Sequence, residues 1–251
     1  MTSRQHTARQ AGPITLDARV TAGNIRVTVE NRTHAEITIS TADTTGPSAD
    51  AVNNATINDQ GDRITAEVRN SGGGGVVMQS GGVQTNVFRS GGGITVTQVG
   101  GNVYGTVVGA VVSGRDIIVN GVHVGGGGGV LVGGSPIVIE ARLPVGSSLA
   151  ADTTSADIDA TGPLTRAQIR AVSGDVNLDG VASLDVSTTS GDTTVAAFAG
   201  SGQVRAVSGD VRVTAVQESS LQVRTVSGDV RITGARVALD ASTVSGRVSQ
   251  R

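Results

Sequence analysis

The stretch Arg205-Ala-Val-Ser-Gly-Asp-Val-Arg-Val-Thr214 decides the fold, because its centre returns at a steady interval. Ser208-Gly209-Asp210-Val211 is preceded by Ser173-Gly174-Asp175-Val176 and Ser190-Gly191-Asp192-Thr193. It is followed by Ser227-Gly228-Asp229-Val230 and, with one change, by Ser245-Gly246-Arg247-Val248. A degenerate copy, Ser155-Ala156-Asp157-Ile158, comes before them all, and successive Ser residues lie 17 to 19 positions apart. A fixed period of that size marks one supersecondary unit repeated, and it is too short to hold a helix and a strand together. The predicted fold is therefore all-β: a parallel β-solenoid, or β-helix, with about 18 residues per rung.

The residues around each triplet fit two strands meeting at a corner. Val176/Leu178, Thr193/Val195, Val211/Val213 and Val230/Ile232 follow the corner. Leu184/Val186, Gly202/Val204, Leu221/Val223 and Leu239/Ala241 lie on the return side. Both sets sit at i, i+2, as inward-facing strand positions do. Val181, Phe198, Val216 and Val237 are expected to fill the far bend. Asn177, Thr194, Arg212 and Arg231 are expected to point outward on one face, and Arg170, Ser187, Arg205, Arg224 and Ser242 on the other. The Gly of each triplet permits a corner with positive φ, and its Ser and Asp can accept bonds from turn amides. Stacking would then place Asp175, Asp192, Asp210 and Asp229 in one column about 4.8 Å apart. Like charges in such a column repel, and Arg247 in the last copy reads as a partial neutraliser.

Working outward from the repeats, residues 149–251 are expected to form the regular solenoid, continuous with N-terminal β rungs over residues 13–148. Residues 1–12 read as a polar, disordered tail. Alternating runs at Ile14–Val20, Ile25–Val29, Ala35–Ser40 and Arg63–Val68 read as strands. Thr21-Ala-Gly-Asn24 copies the corner and implies an earlier rung. Residues 42–60, rich in polar residues and containing Pro47, read as a loop. Within residues 71–134, Ser71-Gly-Gly, Ser80-Gly-Gly and Ser90-Gly-Gly recur at half the later period. This fits short rungs (Val76–Met78, Val83–Phe88, Ile94–Val99) with Gly turns, Gly125–Gly129 being the mobile piece.

Composition narrows the function. The chain has 251 residues, a net charge of −2, no Cys, one Tyr, two Phe and no Trp. Its 19 basic residues are all Arg, so there is no Lys for a phosphate loop or a Schiff base. Without Cys there is no disulfide, thiolate zinc site or thiol nucleophile. A balanced charge gives no cation cluster for nucleic acid, and scarce aromatics give no sugar-stacking platform. His6, His34 and His123 are scattered and form no zinc pattern. Neither a secretory leader nor an apolar run of membrane-spanning length is visible, so the expected location is cytoplasmic.

Ile137-Val-Ile-Glu-Ala-Arg-Leu-Pro-Val-Gly-Ser147, followed by the Ser-Gly-Asp-Val rungs, resembles the bacterial "putative adhesin" family of β-strand repeats, a domain of unknown function also called toastrack. The resemblance runs from Pro13 onward and implies a parallel β-solenoid with adhesin-like or envelope-stress roles. It implies no enzyme activity and no catalytic residues. Residues 71–134 depart from the family pattern as an insertion would.

The candidate functional residues are the corner triplets: Ser173, Gly174, Asp175, Ser190, Gly191, Asp192, Ser208, Gly209, Asp210, Ser227, Gly228 and Asp229. Carboxylates on neighbouring rungs approach the ~5 Å separation of retaining glycosidases, and with turn carbonyls they could cage calcium. Both ideas are weaker than turn capping, which accounts for every copy. The expected protein is thus not an enzyme, needs no cofactor, and offers a regular surface to a protein partner or to further copies through its terminal rungs. A self-assembling scaffold resembling bactofilins is the alternative, and a polysaccharide-active or glycan-binding β-helix ranks below it.

Overall fold

The computed structural model describes residues 1–69 and 135–251, together with the backbone of seven short strands lying between these parts. Alternating polar and β-branched residues dominate, and the chain is almost entirely strand. In the N-terminal part these are β1 (Thr2–Ala11), β2 (Thr15–Glu30), β3 (His34–Thr41), a single short helix α1 (Pro47–Asn53), β4 (Thr56–Asp59) and β5 (Arg63–Val68). The short strands follow: β6 (Thr85–Phe88), β7 (Ile94–Val99), β8 (Asn102–Tyr104), β9 (Thr106–Val107), β10 (Ala110–Ser113), β11 (Asp116–Val119) and β12 (Val122–Val124). Then come β13 (Val138–Pro144), β14 (Ser148–Ser173), β15 (Val176–Ser190), β16 (Thr193–Ser208), β17 (Val211–Ala215), β18 (Ser219–Ser227), β19 (Val230–Gly234), β20 (Val237–Ser245) and β21 (Val248–Gln250).

From β14 onward every tier pairs in parallel with the next. Ile158, Val176, Thr193, Val211, Val230 and Val248 lie side by side in that order. On the return side Ala167, Leu184, Gly202, Leu221 and Leu239 do the same. The Ser residues of the five triplets are in register from Ser173 to Ser245. Parallel register puts identical positions above one another, so the apolar i, i+2 residues of both strands line one interior. Val176, Val186, Val204, Val211, Val223 and Val230 are wholly buried there. The parallel pairing extends to the earlier segment, since Asp157 and Ile158 lie against Asn24 and Ile25.

Phe198, the largest fully buried side chain among the described residues, shows how that interior tolerates variation. Its tier carries Gly202 where neighbouring tiers carry Leu. A Cβ on Gly202 would sit 2.8 Å from the Leu184 Cβ and 3.2 Å from the Phe198 ring. The aromatic ring thus takes the space that a Leu fills elsewhere, and volume is conserved within the tier.

Several expectations are corrected. Residues 1–12 are no free tail: β1 pairs antiparallel with β3, Ala8 is buried, and His6 meets Asp59 at 2.9 Å. The Asp59 carboxylate also accepts the amides of Arg9 and Gly61, at 3.0 and 2.9 Å. The Arg4 guanidinium donates to the Asn53 and Ala55 carbonyls. Docking here runs through polar bonds, and hydrophobic periodicity cannot register those. Residues 42–60 contain α1, with Pro at its start and Ala49, Ala51 and Val52 buried, and then β4, which pairs with β5. Val216 is 58 % exposed, and Ala215 opposite Phe198 fills that bend instead.

The strand expected at Val83–Phe88 is present in part as β6 and that at Ile94–Val99 in full as β7, but they pair antiparallel and are not parallel rungs. A five-residue connection suits a hairpin, whereas parallel partners need a long crossover. Val76–Met78, the Ser-Gly-Gly turns and Gly125–Gly129 lie outside the described residues.

Three outcomes follow from this packing. Thr193 takes a Val position in the interior, is fully buried, and its hydroxyl has no partner. Thr193→Val should therefore stabilise the protein by about 1 kcal/mol, a rise of a few degrees in Tm by calorimetry. Asp59 is held down to about 2, first by the Arg9 amide, then by the Gly61 amide and His6. A depressed carboxyl contributes stability above its unfolded value near 4 that is lost as pH falls toward about 2. Hydrogen exchange in β1 should accelerate across that window, and less so in Asp59→Asn. Finally, β5 ends with Val68 beside Val20, and the Ile137 carbonyl accepts the Asn24 amide four positions on. Replacing residues 70–134 by a short Gly-Ser linker should leave the cooperative melting of the remaining chain intact.

Candidate functional site

The repeated triplet builds one continuous column. Each Asp turns its carboxylate along the stack, and Oδ1 accepts the main-chain N–H of the corresponding residue on the next tier. Asp157 accepts from Asp175 at 3.0 Å, Asp175 from Asp192 at 2.9 Å, and Asp192 from Asp210 at 2.9 Å. Asp210 accepts from Asp229 at 2.9 Å, and Asp229 from Arg247 at 2.8 Å. A single side-chain oxygen thereby satisfies an amide that the turn leaves without a strand partner. The final position keeps its amide donor whatever its side chain, which is why Arg247 is tolerated there.

Gly makes the column compact. At Gly209, φ is +125°, and a Cβ would lie 2.2 Å from the Gly191 carbonyl oxygen. The same approach recurs at Gly174, Gly191, Gly228 and Gly246. No other residue type fits either the backbone angle or the space.

The like charges are partly offset. Arg212 donates to Asp192 Oδ2 at 3.0 Å and to Asp210 Oδ2 at 2.6 Å, bridging two tiers. The Asp210 amide, and after it the Arg212 guanidinium, hold the Asp192 carboxyl below the ordinary range. Asn177 and Asp159 form a further rung-to-rung bond beside the column, at 3.0 Å. Sequence reasoning placed these Asp residues in a column but missed the amide each one serves, because that pairing exists only after parallel register is set.

The calcium candidates Asp175, Asp192, Asp210 and Asp229 are thus strung along the stack. Among the described residues, no group of three or more His, Asp or Glu side chains is placed to hold a metal ion. Of the His residues, His6 belongs to the β1 clasp with Asp59, and His34 contacts Thr33. His123 falls in β12, where only the backbone is described.

The first tier departs from the pattern at this same corner. β5 and β13 lie along one edge of β2, over Thr15–Val20 and Asn24–Glu30. Where β2 turns through Thr21–Asn24, the neighbouring chain runs from Val68 to Ile137, so residues 69–136 take the place of a four-residue corner. Their return is fixed by Asp43, which accepts the Ser135 amide at 2.7 Å and its hydroxyl at 2.6 Å. Beside the departure point is an open depression of about 370 Å³ lined by Arg19, Glu67, Arg69 and Asp152–Thr154. Its charges are largely matched, Arg19 with Asp17 at 2.9 Å and Arg69 with Glu67 at 2.8 Å.

Residues 138–251 match the family described as Toastrack DUF4097. No curated protein matches the sequence. A crystal structure of a "putative adhesin" from Bacteroides fragilis covers 100 % of this chain and 97 % of its own, at 13 % identity and a TM-score of 0.41. One of the same description from Parabacteroides distasonis covers 100 % and 97 %, at 10 % and 0.31. Another from that organism, described as a "putative lipid binding protein", covers 99 % and 97 %, at 8 % and 0.30. The stacked Ser-Gly-Asp tiers of residues 138–251 are a toastrack-like domain of unknown function.

Proposed function

We propose that the chain is a non-enzymatic parallel β-solenoid of about 18-residue coils, an adhesin-like module whose sides serve as contact surfaces for other proteins. The observation that carries this reading is the use made of the corner carboxylates. Each one spends Oδ1 on a main-chain amide, and two of them share Arg212. A general acid at neutral pH needs a carboxyl whose proton affinity is raised. At Asp192 the amide and the guanidinium push the other way. The column therefore reads as a fastener between tiers, leaving the outward faces as the part available to partners.

A second reading, self-assembly, is favoured by one observation. Among the described residues, β20 pairs only with β18 and β21 only with β19, which leaves one strand edge of each unpaired there. Sedimentation at high protein concentration tests it, and a strict monomer removes it.

For the main reading, Asp210→Ala should cost about 1–2 kcal/mol in stability, because the Asp229 amide loses its acceptor. Asp210→Asn should cost less than half as much, since an amide oxygen still accepts. Gly209→Ala should destabilise by several kcal/mol or prevent folding. In a screen with polysaccharide and ester substrates, the unaltered chain should show no turnover. Turnover that disappears in Asp210→Asn without loss of stability would replace the contact-surface reading with catalysis.

A further inference from the structure

Beside the corner, on the return strands, the outward positions form two straight columns. One holds Val172, Thr189, Val207, Val226 and Val244, each directly before the Ser of its triplet. The four valines are 51, 49, 48 and 83 % exposed. The other column, two residues earlier, holds Arg170, Ser187, Arg205, Arg224 and Ser242, all exposed.

Arg170, Arg205 and Arg224 have no carboxylate partner among the described residues. The acids nearest along the strands are committed elsewhere: Asp185 accepts from Gln203 at 3.0 Å, and Asp240 from Gln222 at 2.8 Å. On the opposite face Arg212 is engaged by two carboxylates, while Arg231 beside it has none among the described residues. A regular apolar stripe alongside guanidiniums that no carboxylate engages defines the chemistry of what would cover it.

The occupant must supply apolar groups for the valines and carboxylates for the arginines, with both recurring at the spacing of the tiers. Adjacent tiers are about 4.8 Å apart, and an α-helix lying along the stack offers one turn every ~5.4 Å. Over three or four tiers the two spacings stay within about 2 Å of each other. A bilayer is a poorer match, because the stripe has only short β-branched side chains and none of the Trp, Phe or Leu that anchor interfacial proteins. A second copy related by a two-fold axis would set arginine against arginine.

We propose that the face bearing Val207, Val226 and Val244 beside Arg170, Arg205 and Arg224 docks an amphipathic helix of a partner protein. That helix carries an apolar stripe flanked by Asp or Glu, and its axis runs along the tiers. The proposal rests on the contact-module reading above and names the surface and the partner chemistry. Recognition is electrostatic in register and hydrophobic in contact, so it weakens with salt but is not abolished by it.

The test is fluorescence anisotropy with the full chain and three helix-stapled peptides of 14 residues. One has a Leu/Ala stripe flanked by Glu, one the same stripe flanked by Lys, and one is a scrambled Glu peptide. The Glu-flanked peptide should bind at least about tenfold more tightly than the other two. Binding should fall roughly tenfold in the Arg205→Glu, Arg224→Glu double variant and several-fold in Val207→Ser, Val226→Ser. Unchanged melting confirms that each variant is folded.

Equal binding of all three peptides, no binding, or binding indifferent to these substitutions overturns the proposal. So does binding to phosphatidylglycerol vesicles that the arginine substitutions abolish while the peptides fail, which would assign the face to a membrane. Dimerisation lost in the arginine variant would assign it to a second copy. If the peptides fail but a photo-crosslinker at Thr194, on the other face, captures a protein in the native cell, the docking face is wrong and the contact-module reading survives.

Discussion

One bond, repeated, holds the corner column together: an aspartate oxygen on one tier accepting the main-chain N–H of the residue at the same place on the next. At a corner the backbone leaves strand geometry, and its amide would otherwise face the gap between tiers. Supplying an ionised acceptor there satisfies the donor and fixes the register at the same time. A shift by one residue would bring a Gly or, in most tiers, a Val to that position, and neither has a side-chain oxygen to offer. Register in turn decides which side chains face inward, since strand side chains alternate. The aliphatic interior therefore depends on the corner as much as the corner depends on it.

This arrangement also answers how a column of like charges is tolerated. The repulsion that a row of carboxylates implies is met by amide dipoles on every tier and, at Asp192 and Asp210, by the guanidinium of Arg212. Opposite-charge compensation beside the corner thus comes from Arg212, while Arg231 next to it and Arg170, Arg205 and Arg224 on the return strands have no carboxylate partner among the described residues.

Much of the repeat was legible because parallel stacking repeats chemistry as well as shape. The period, the corner Gly and the inward Val, Leu and Ile positions are all properties of one unit read several times. What escaped was anything unique to a single place. β1 is held where Arg4, His6 and the Arg9 amide meet Asn53, Ala55 and Asp59, partners 49 to 53 residues away in sequence, and nothing local announces them. Helix α1 is too short for a 3.6-residue pattern to declare itself. Val216 fell outside because the pairing shifts between Val195 and Phe198, which sets Ala215 opposite Phe198 in the bend. At the corner, Asp was readable as a turn residue, while the identity of its amide required the neighbouring tier.

The site of the long excursion between Val68 and Ile137 carries a consequence for how such chains diversify. The carboxylate-to-amide chain begins at Asp157, so the first tier's corner lies outside it, and sequence inserted between Val68 and Ile137 breaks none of those fasteners. Opening the corner at Gly191, Gly209 or Gly228 would sever two of them each. Variation in loop size should accordingly accumulate at one end of the molecule, leaving the remaining corners as an invariant spine on which new sequence is grafted from the top.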